Sequence, residues 1–202
     1  MSPGRAAVDP PIQHLAPASR ARRHRRLTGL SGILLFACMF LPAVKGCNAP
    51  VMPYEVPPFL PPYLYGLVFA LVAMSRTTRG VQLGYTVLRV LAALVVLGSI
   101  VLVIIAPPVG ILELLIGTVL LVTVAPGDNL ERQIATSGIE VAGVSVLWFA
   151  AWSTSQDALL GVYLSLASAV GLLFGCVAWL RALASRPLVD MPRAVTIARQ
   201  RE

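Results

Sequence analysis

The sequence predicts an all-α membrane protein, a polytopic bundle of about six transmembrane helices with both termini in the cytoplasm. Three observations lead to this prediction. Hydrophobic residues make up 57% of the 202 residues and charged residues only 12%, the apolar residues form long stretches, and the arginines lie at alternate ends of these stretches. A soluble core would instead alternate apolar and polar residues at the period of a helix or a strand.

Six stretches approach the length of a span, because a helix rises about 1.5 Å per residue and the hydrocarbon layer is about 30 Å thick. They cover residues 27–44, 59–75, 81–106, 109–125, 138–152 and 158–182. The second and fourth stretches would reach only about 25 Å as helices. Bilayer thinning or a few loop residues must supply the difference there.

The arginines predict the orientation of the chain. They precede the first stretch, separate the second from the third and the fourth from the fifth, and end or follow the sixth: Arg5, Arg20, Arg22, Arg23, Arg25, Arg26, Arg76, Arg79, Arg132, Arg181, Arg186, Arg193, Arg199 and Arg201. Six spans bring all of them to one side, which the positive-inside rule identifies as the cytoplasm. Residues 1–26 are then expected to form a disordered basic tail, 27–182 the transmembrane domain and 183–202 a second basic tail.

Prolines and short polar residues predict where the helices begin and end. Pro107 and Pro108 divide a long apolar region into two spans joined by a tight outer hairpin, because proline interrupts helical hydrogen bonding. Pro61 and Pro62 suit the first turn of the second helix.

Capping boxes predict the starts of the last two helices. Ser137 with Glu140 and Thr154 with Asp157 fit this motif, in which a hydroxyl and a carboxylate three residues later satisfy free backbone donors. An alternative start for the fifth helix is near Asp128, two or three turns earlier.

The outer loop 45–62 is unusual in its six prolines. This composition predicts an extended, polyproline-like path with few internal hydrogen bonds. Two interpretations stay open: a stiff connector between spans, or a docking strand for an extracytoplasmic protein partner.

Cys47 in this loop is a candidate lipidation site. The arginine-rich start, the first apolar stretch and the sequence from Val44 to Cys47 resemble a bacterial lipoprotein signal, which is cut before a lipid-modified cysteine. Lys45 departs from the small residue expected there, and the segment before the apolar stretch is long for such a signal.

Three ionisable residues within the spans are candidates for function, namely Glu113, Arg89 and Glu140, because a charge inside a membrane costs free energy unless it is paired or hydrated. Structural alternatives exist for each. Arg89 can extend to the inner headgroups, Glu140 can cap its helix, and the two can pair with each other. Glu113 shares a helix face with Gly110 and Gly117, so it is expected to face a neighbouring helix or a small wet cavity, or to be a protonated acid hydrogen-bonded within the bundle.

Tryptophans and small residues predict contacts of two kinds. Trp148 and Trp152 at the outer end and Trp179 at the inner end are expected at the headgroup level. Gly171 and Gly175 on the sixth stretch, and Gly138 with Ala142 on the fifth, predict close helix packing within the bundle.

Several classes of function are not expected. The only histidines, His14 and His24, lie in the amino-terminal tail, so the spans hold no histidine site for haem or zinc. Neither a Walker motif nor a dinucleotide-binding motif is present. We therefore expect no catalytic residues, no metal, no cofactor and no enzyme activity, and the basic charge borders the bilayer segments and requires no nucleic acid.

Two classes remain. The first is a small integral membrane protein that acts as a structural or accessory subunit, with the lipid bilayer and a membrane or extracytoplasmic protein as partners. The alternative is a small transporter or channel, proton-coupled through Glu113. Fifteen arginines against one lysine are typical of a GC-rich genome and suggest a bacterial inner membrane.

Overall fold

The computed structural model describes residues 16–46, 49–75, 77–105, 107–123 and 130–185. Within these ranges the chain is mostly helical, with six α-helices: α1 Ala16–Ala37, α2 Leu60–Met74, α3 Thr78–Ile105, α4 Pro107–Thr123, α5 Leu130–Ser153 and α6 Leu160–Ala184. The remaining elements are two short strands, β1 Val44–Lys45 and β2 Pro50–Val51, and three 3-10 turns, Cys38–Phe40, Pro53–Glu55 and Pro57–Phe59. The prediction of an all-α chain is confirmed at this level, and each predicted apolar stretch overlaps one helix.

Three of the described helices are long and apolar enough to cross a membrane, namely Arg79–Ile105, Leu130–Ser153 and Leu160–Ala184. Leu60–Met74 and Glu113–Val122 are apolar but shorter. The first half of α1 carries arginines, which lowers its hydropathy below that of a span. A membrane protein is thus supported by three candidate spans.

The helix ends agree only in part with the sequence predictions. Pro61 and Pro62 lie in the first turn of α2, and Pro107 begins α4, as predicted. Residues 16–26 of the expected disordered tail are instead helical, because alanine and arginine favour helix and Pro17 suits a first turn. Residues 1–15 and 186–202 lie outside the described residues.

Both predicted capping boxes are wrong. Helix α5 already runs from Leu130, so Ser137 lies inside it and its Oγ donates to Gln133 O at 2.9 Å. This start agrees with the alternative near Asp128, which itself lies outside the described residues. Thr154 Oγ1 donates back to Ala151 O at 2.7 Å at the end of α5, and the Leu159 position before α6 has no side-chain cap. In each case the hydroxyl bonds a carbonyl of the preceding turn and not a free donor.

Four helices form a closely packed unit: α1 lies between α2 and α6, and α5 packs against α6. Glycines set the closest approaches, because a missing Cβ lets two backbones meet. A Cβ on Gly32 would meet Gly66 O of α2, and a Cβ on Gly175 would lie 2.7 Å from Thr28 Oγ1 of α1. The predicted small-residue positions Gly171 and Gly175 therefore pack within the bundle. Helices α3 and α4 form a hairpin that packs mainly on itself.

The interior of the four-helix unit is filled by large side chains. Leu35, Phe69, Ile134, Leu172 and Trp179 are each at most 1% exposed. Trp179, which was expected at the headgroup level, packs into the bundle with its ring beside Arg25.

The loop between α1 and α2 folds over one end of the bundle as a cap. Strands β1 and β2 pair antiparallel, Val44 also bridges to Ala158, and Leu159 N–H donates to Ala43 O at 2.9 Å. The predicted polyproline-like path is wrong, because two 3-10 turns give the loop internal hydrogen bonds, among them Glu55 N–H to Met52 O at 3.0 Å. Cys47, the candidate lipidation site, lies outside the described residues.

Candidate functional site

Helices α2, α3, α4 and α5 line a half-open cavity of about 50 Å³ near the cap. Its walls come from Pro61, Pro62 and Tyr65 of α2, Val95 of α3, Glu113 and Ile116 of α4, and Val141, Val144, Ser145 and Trp148 of α5. Apart from a few polar atoms the lining is apolar. The cavity therefore has the character of a small binding pocket in a helical bundle.

Helical periodicity explains why these residues meet. The four residues of α5 lie at positions i, i+3, i+4 and i+7, which share one face of a helix. Helix α4 is drawn against α3 by two glycines: a Cβ on Gly117 would lie 2.7 Å from Val96 Cγ2, and one on Gly110 would meet the backbone of Val103. With α4 held this closely, Glu113 lines the cavity between α4 and its neighbours.

Two buried donors beside Glu113 have no hydrogen-bond partner among the described residues: the hydroxyl of Tyr65 and the indole Nε1 of Trp148. Tyr65 is only 4% exposed. Leaving such a group unpaired costs roughly 1 to 3 kcal/mol, so native structures satisfy it with water or a ligand. A cavity of about 50 Å³ has room for a few water molecules. The site can thus hold water or one small polar group in a cavity lined by a carboxyl-bearing residue and two donor-bearing residues.

Aromatic rings hold the side of the site next to the cap in place. Phe59 contacts both tryptophans, with ring centroids 4.9 Å from Trp152 and 5.8 Å from Trp148, and the two tryptophan rings lie 6.3 Å apart. These contacts fix the Trp148 indole whose N–H is unpartnered. Aromatic pairs of this kind contribute about 0.5 to 1.5 kcal/mol beyond their buried area.

The other two candidate residues do not join Glu113. Arg89 is exposed on α3 and does not line the cavity; it lies six residues before Val95, or about 9 Å along the helix. Glu140 is half-buried inside α5 and is also absent from the cavity wall. Its expected role as a capping acid is wrong, since the helix continues past it in both directions.

Sequence reasoning missed a cluster around Arg25 at the opposite end of the bundle. Arg25 Nη2 donates to Val72 O and to Ser75 O, each at 2.7 Å. Its Nη1 lies 3.4 Å from Glu131 Oε1, and its guanidinium is 5.7 Å from the ring centroid of Trp179. One side chain of α1 thus contacts α2, α5 and α6. A signal was available, because Thr28 and Gly32 share the face of Arg25 at i+3 and i+7 and mark that face as buried.

The cavity is the arrangement most suited to binding. Among the described residues, no group of three or more histidines, cysteines, aspartates or glutamates could hold a metal ion. Comparison of the chain with protein-family models, with curated proteins and with solved structures finds no match.

Proposed function

We propose that this chain is a multi-pass protein of a bacterial inner membrane in which all six helices span the bilayer and both termini are cytoplasmic. Antiparallel packing supports this. Gly175 faces Thr28 and Gly171 faces Ser31, so α6 runs antiparallel to α1. The same pattern relates α4 to α3, where Gly117 faces Val96 and Gly110 faces Val103.

The antiparallel packing brings arginines from four helices to the same end of the bundle. The starts of α1, α3 and α5 and the end of α6 lie at one end of the bundle, and these are the positions of Arg22, Arg79, Arg132 and Arg181. The opposite end carries the cap and Lys45. By the positive-inside rule, the arginine end faces the cytoplasm.

We propose further that the protein acts as a structural or accessory subunit. The observation that carries this proposal is the filled interior of the four-helix unit, where Leu35, Phe69 and Leu172 are at most 1% exposed. Interiors packed to this degree have low compressibility and keep their shape. The unit is suited to holding a fixed shape and presenting outer surfaces, including the exposed face of α3 and the cap.

Site-specific photocrosslinking in cells tests the accessory role. A photoreactive residue replaces Leu97 of α3, which is 61% exposed, or Tyr54 of the cap, which is 48% exposed. We expect one defined protein to be captured from at least one of these positions and to copurify with the chain in fixed stoichiometry. Leu88 of α3, which is fully buried, is the matched control and should capture no second protein. Adducts with lipid alone at both exposed positions would contradict the accessory role.

A second candidate function is proton-coupled transport through Glu113. It is favoured by the cavity, whose largely apolar wall includes Glu113 and two residues with donors that have no partner among the described residues. Intramembrane carboxyls of this kind mark proton and ion paths in transporters. In this proposal Glu113 carries the proton, and Tyr65 and Trp148 orient the bound water or solute.

Reconstituted vesicles distinguish the two candidates. If transport is the function, Glu113→Gln should abolish proton uptake, because an amide side chain has no protonation equilibrium near neutral pH. Glu140→Gln, a carboxyl in α5 outside the cavity wall, serves as the control and should leave uptake unchanged. Proton uptake that is the same with and without the Glu113 carboxyl would remove the transport candidate.

A further inference from the structure

A second, larger concavity of about 740 Å³ lies at the arginine end, between α1 and α2. Its wall on α1 carries Arg22, Arg26, Leu30 and Ile33, and Met74 lies on the α2 side. These residues define what we name the inner groove. Leu30 and Met74 are 61% and 66% exposed, so the groove is open along its side.

The inner groove changes polarity along its length. The four α1 residues follow one another at spacings of four, four and three, which places them in one stripe along the helix. From Arg22 to Ile33 the helix rises about 17 Å. Two guanidinium groups therefore occupy one end of the stripe and two apolar side chains the other.

Within the described part of the chain, no ion pair involves the two exposed arginines of the groove. Arg25, which also lines it, is engaged with the α2 carbonyls and with Glu131. Arg22 and Arg26 are exposed, and the ion pair found among the described residues involves neither of them. Two positive charges thus remain at the groove entrance. Arg25 Nε is in addition a buried donor without a partner in the described part of the chain.

We propose that the inner groove binds one acidic phospholipid, with its phosphate on Arg22 and Arg26 and the start of an acyl chain along Leu30, Ile33 and Met74. Guanidinium groups bind phosphate through paired hydrogen bonds, and basic pockets between helices on the cytoplasmic side bind acidic headgroups. The apolar half of the groove selects a lipid over a free phosphate ion. This inference rests on the proposed membrane topology, which puts the groove at the inner leaflet.

Lipid binding to the purified full-length chain tests the proposal. The chain in neutral detergent is titrated with phosphatidylglycerol or phosphatidylcholine, and bound lipid is counted by native mass spectrometry. We expect one phosphatidylglycerol to bind in preference to phosphatidylcholine. Each arginine should contribute about fivefold, so Arg22→Gln with Arg26→Gln should weaken phosphatidylglycerol binding by about twenty-five-fold. The control Arg132→Gln with Arg181→Gln removes the same charge from two exposed positions outside the groove and should weaken it less than threefold.

Two further measurements distinguish binding of a lipid from binding of a free phosphate ion. Replacing Leu30 and Ile33 by serine should weaken lipid binding, whereas displacement of the lipid by millimolar inorganic phosphate would show an anion site and overturn the lipid assignment. Equal effects of the groove pair and the control pair would also overturn it. Flotation with phosphatidylcholine vesicles tests the membrane proposal separately. A chain that floats but shows no phosphatidylglycerol preference would contradict only the lipid site. A chain that does not float would contradict both the lipid site and the membrane proposal.

Discussion

Arg25 shows how one side chain can join four helices at the end of a bundle. Its guanidinium satisfies two carbonyls near the end of α2 and faces a carboxylate of α5 and a ring of α6. The last carbonyls of a helix have no partner within the helix, so a cation there supplies both hydrogen bonds and a favourable charge. The planar group of arginine reaches several acceptors at once, which a lysine ammonium does less well.

Replacing Arg25 should therefore destabilise the whole protein. Hydrogen bonds from charged groups contribute about 1.5 to 3 kcal/mol each. Loss of the two bonds to α2 in Arg25→Gln should therefore lower the free energy of unfolding by about 3 to 6 kcal/mol, and Arg25→Lys should have an intermediate effect. Arg23→Gln, at an exposed neighbouring position, is the control for loss of charge. Thermal unfolding in detergent measures the effect, and equal midpoints for the Arg25 and Arg23 variants would contradict this account.

The sequence does not show which of several neighbouring arginines has a structural role. Arg22, Arg25 and Arg26 all border an apolar stretch, and only the helical phase separates Arg25, which contacts three other helices, from Arg22 and Arg26, which are exposed. Glu113 differs, because Gly110 and Gly117 are visible in the sequence and they face α3 in the structure. The unpartnered Tyr65 and Trp148 could not be foreseen, since their meeting with Glu113 depends on packing between α2, α4 and α5.

At the scale of the helices, contact between α1 and α2 depends on glycine. A Cβ at Gly32 would meet Gly66 O and would lie 3.1 Å from Ala70 N. Backbone atoms cannot move aside as a flexible side chain does, so the two helices would have to separate. Loss of this close approach would disturb a contact on which the core around Leu35 depends.

Alanine at Gly32 should destabilise the protein, and alanine at Gly98 should not. Overpacking a close contact costs about 1 to 3 kcal/mol. Gly98 is also inside a helix but has nothing within 4 Å of its Cβ position, so alanine there should be neutral or stabilise by up to about 1 kcal/mol. The gain in helix propensity is similar at both sites, so the difference between the two unfolding midpoints isolates helix contact. Gly32→Ala and Gly98→Ala variants with equal midpoints would rule out the close approach.

Helix ends were predicted correctly where a single residue determines them by its own covalent structure. Proline limits hydrogen bonding at any position, and Pro61, Pro62 and Pro107 mark helix starts as expected. A hydroxyl group can bond either to a free N–H group or to a carbonyl, and the Ser137 hydroxyl donates to the carbonyl four residues earlier in a continuous helix. The cap was also mispredicted, because its hydrogen bonds to the α5–α6 connection are long-range and leave no mark in local composition.

At the scale of the whole molecule, α1 is the central element of the closely packed unit, since it lies between α2 and α6. Cleavage before Cys47, as in a lipoprotein, would remove α1 and expose the residues packed against it. Gly66 and Gly175 would lose the surfaces that they approach. The packing therefore favours retention of the first helix over its use as a cleaved signal.

Cysteine labelling in intact spheroplasts tests the proposed topology. Cys38, Cys47 and Cys176 are first replaced by serine, and single cysteines are then placed at Tyr54 in the cap or at Thr77 and Ser185 at the arginine end, all three exposed. If the positive-inside rule governs this chain, a membrane-impermeant maleimide should label Tyr54→Cys at once, and Thr77→Cys and Ser185→Cys only after permeabilisation.

The buried position Val72, which is 1% exposed, provides the control for labelling of unfolded chain, and Val72→Cys should react only in denaturant. Each outcome has a separate meaning because the three exposed positions lie on different connections. Immediate labelling at all three would show that the arginine end is accessible from outside. Labelling at Ser185 but not at Thr77 would imply an odd number of crossings between α3 and the end of α6, and the six-span arrangement would then be wrong.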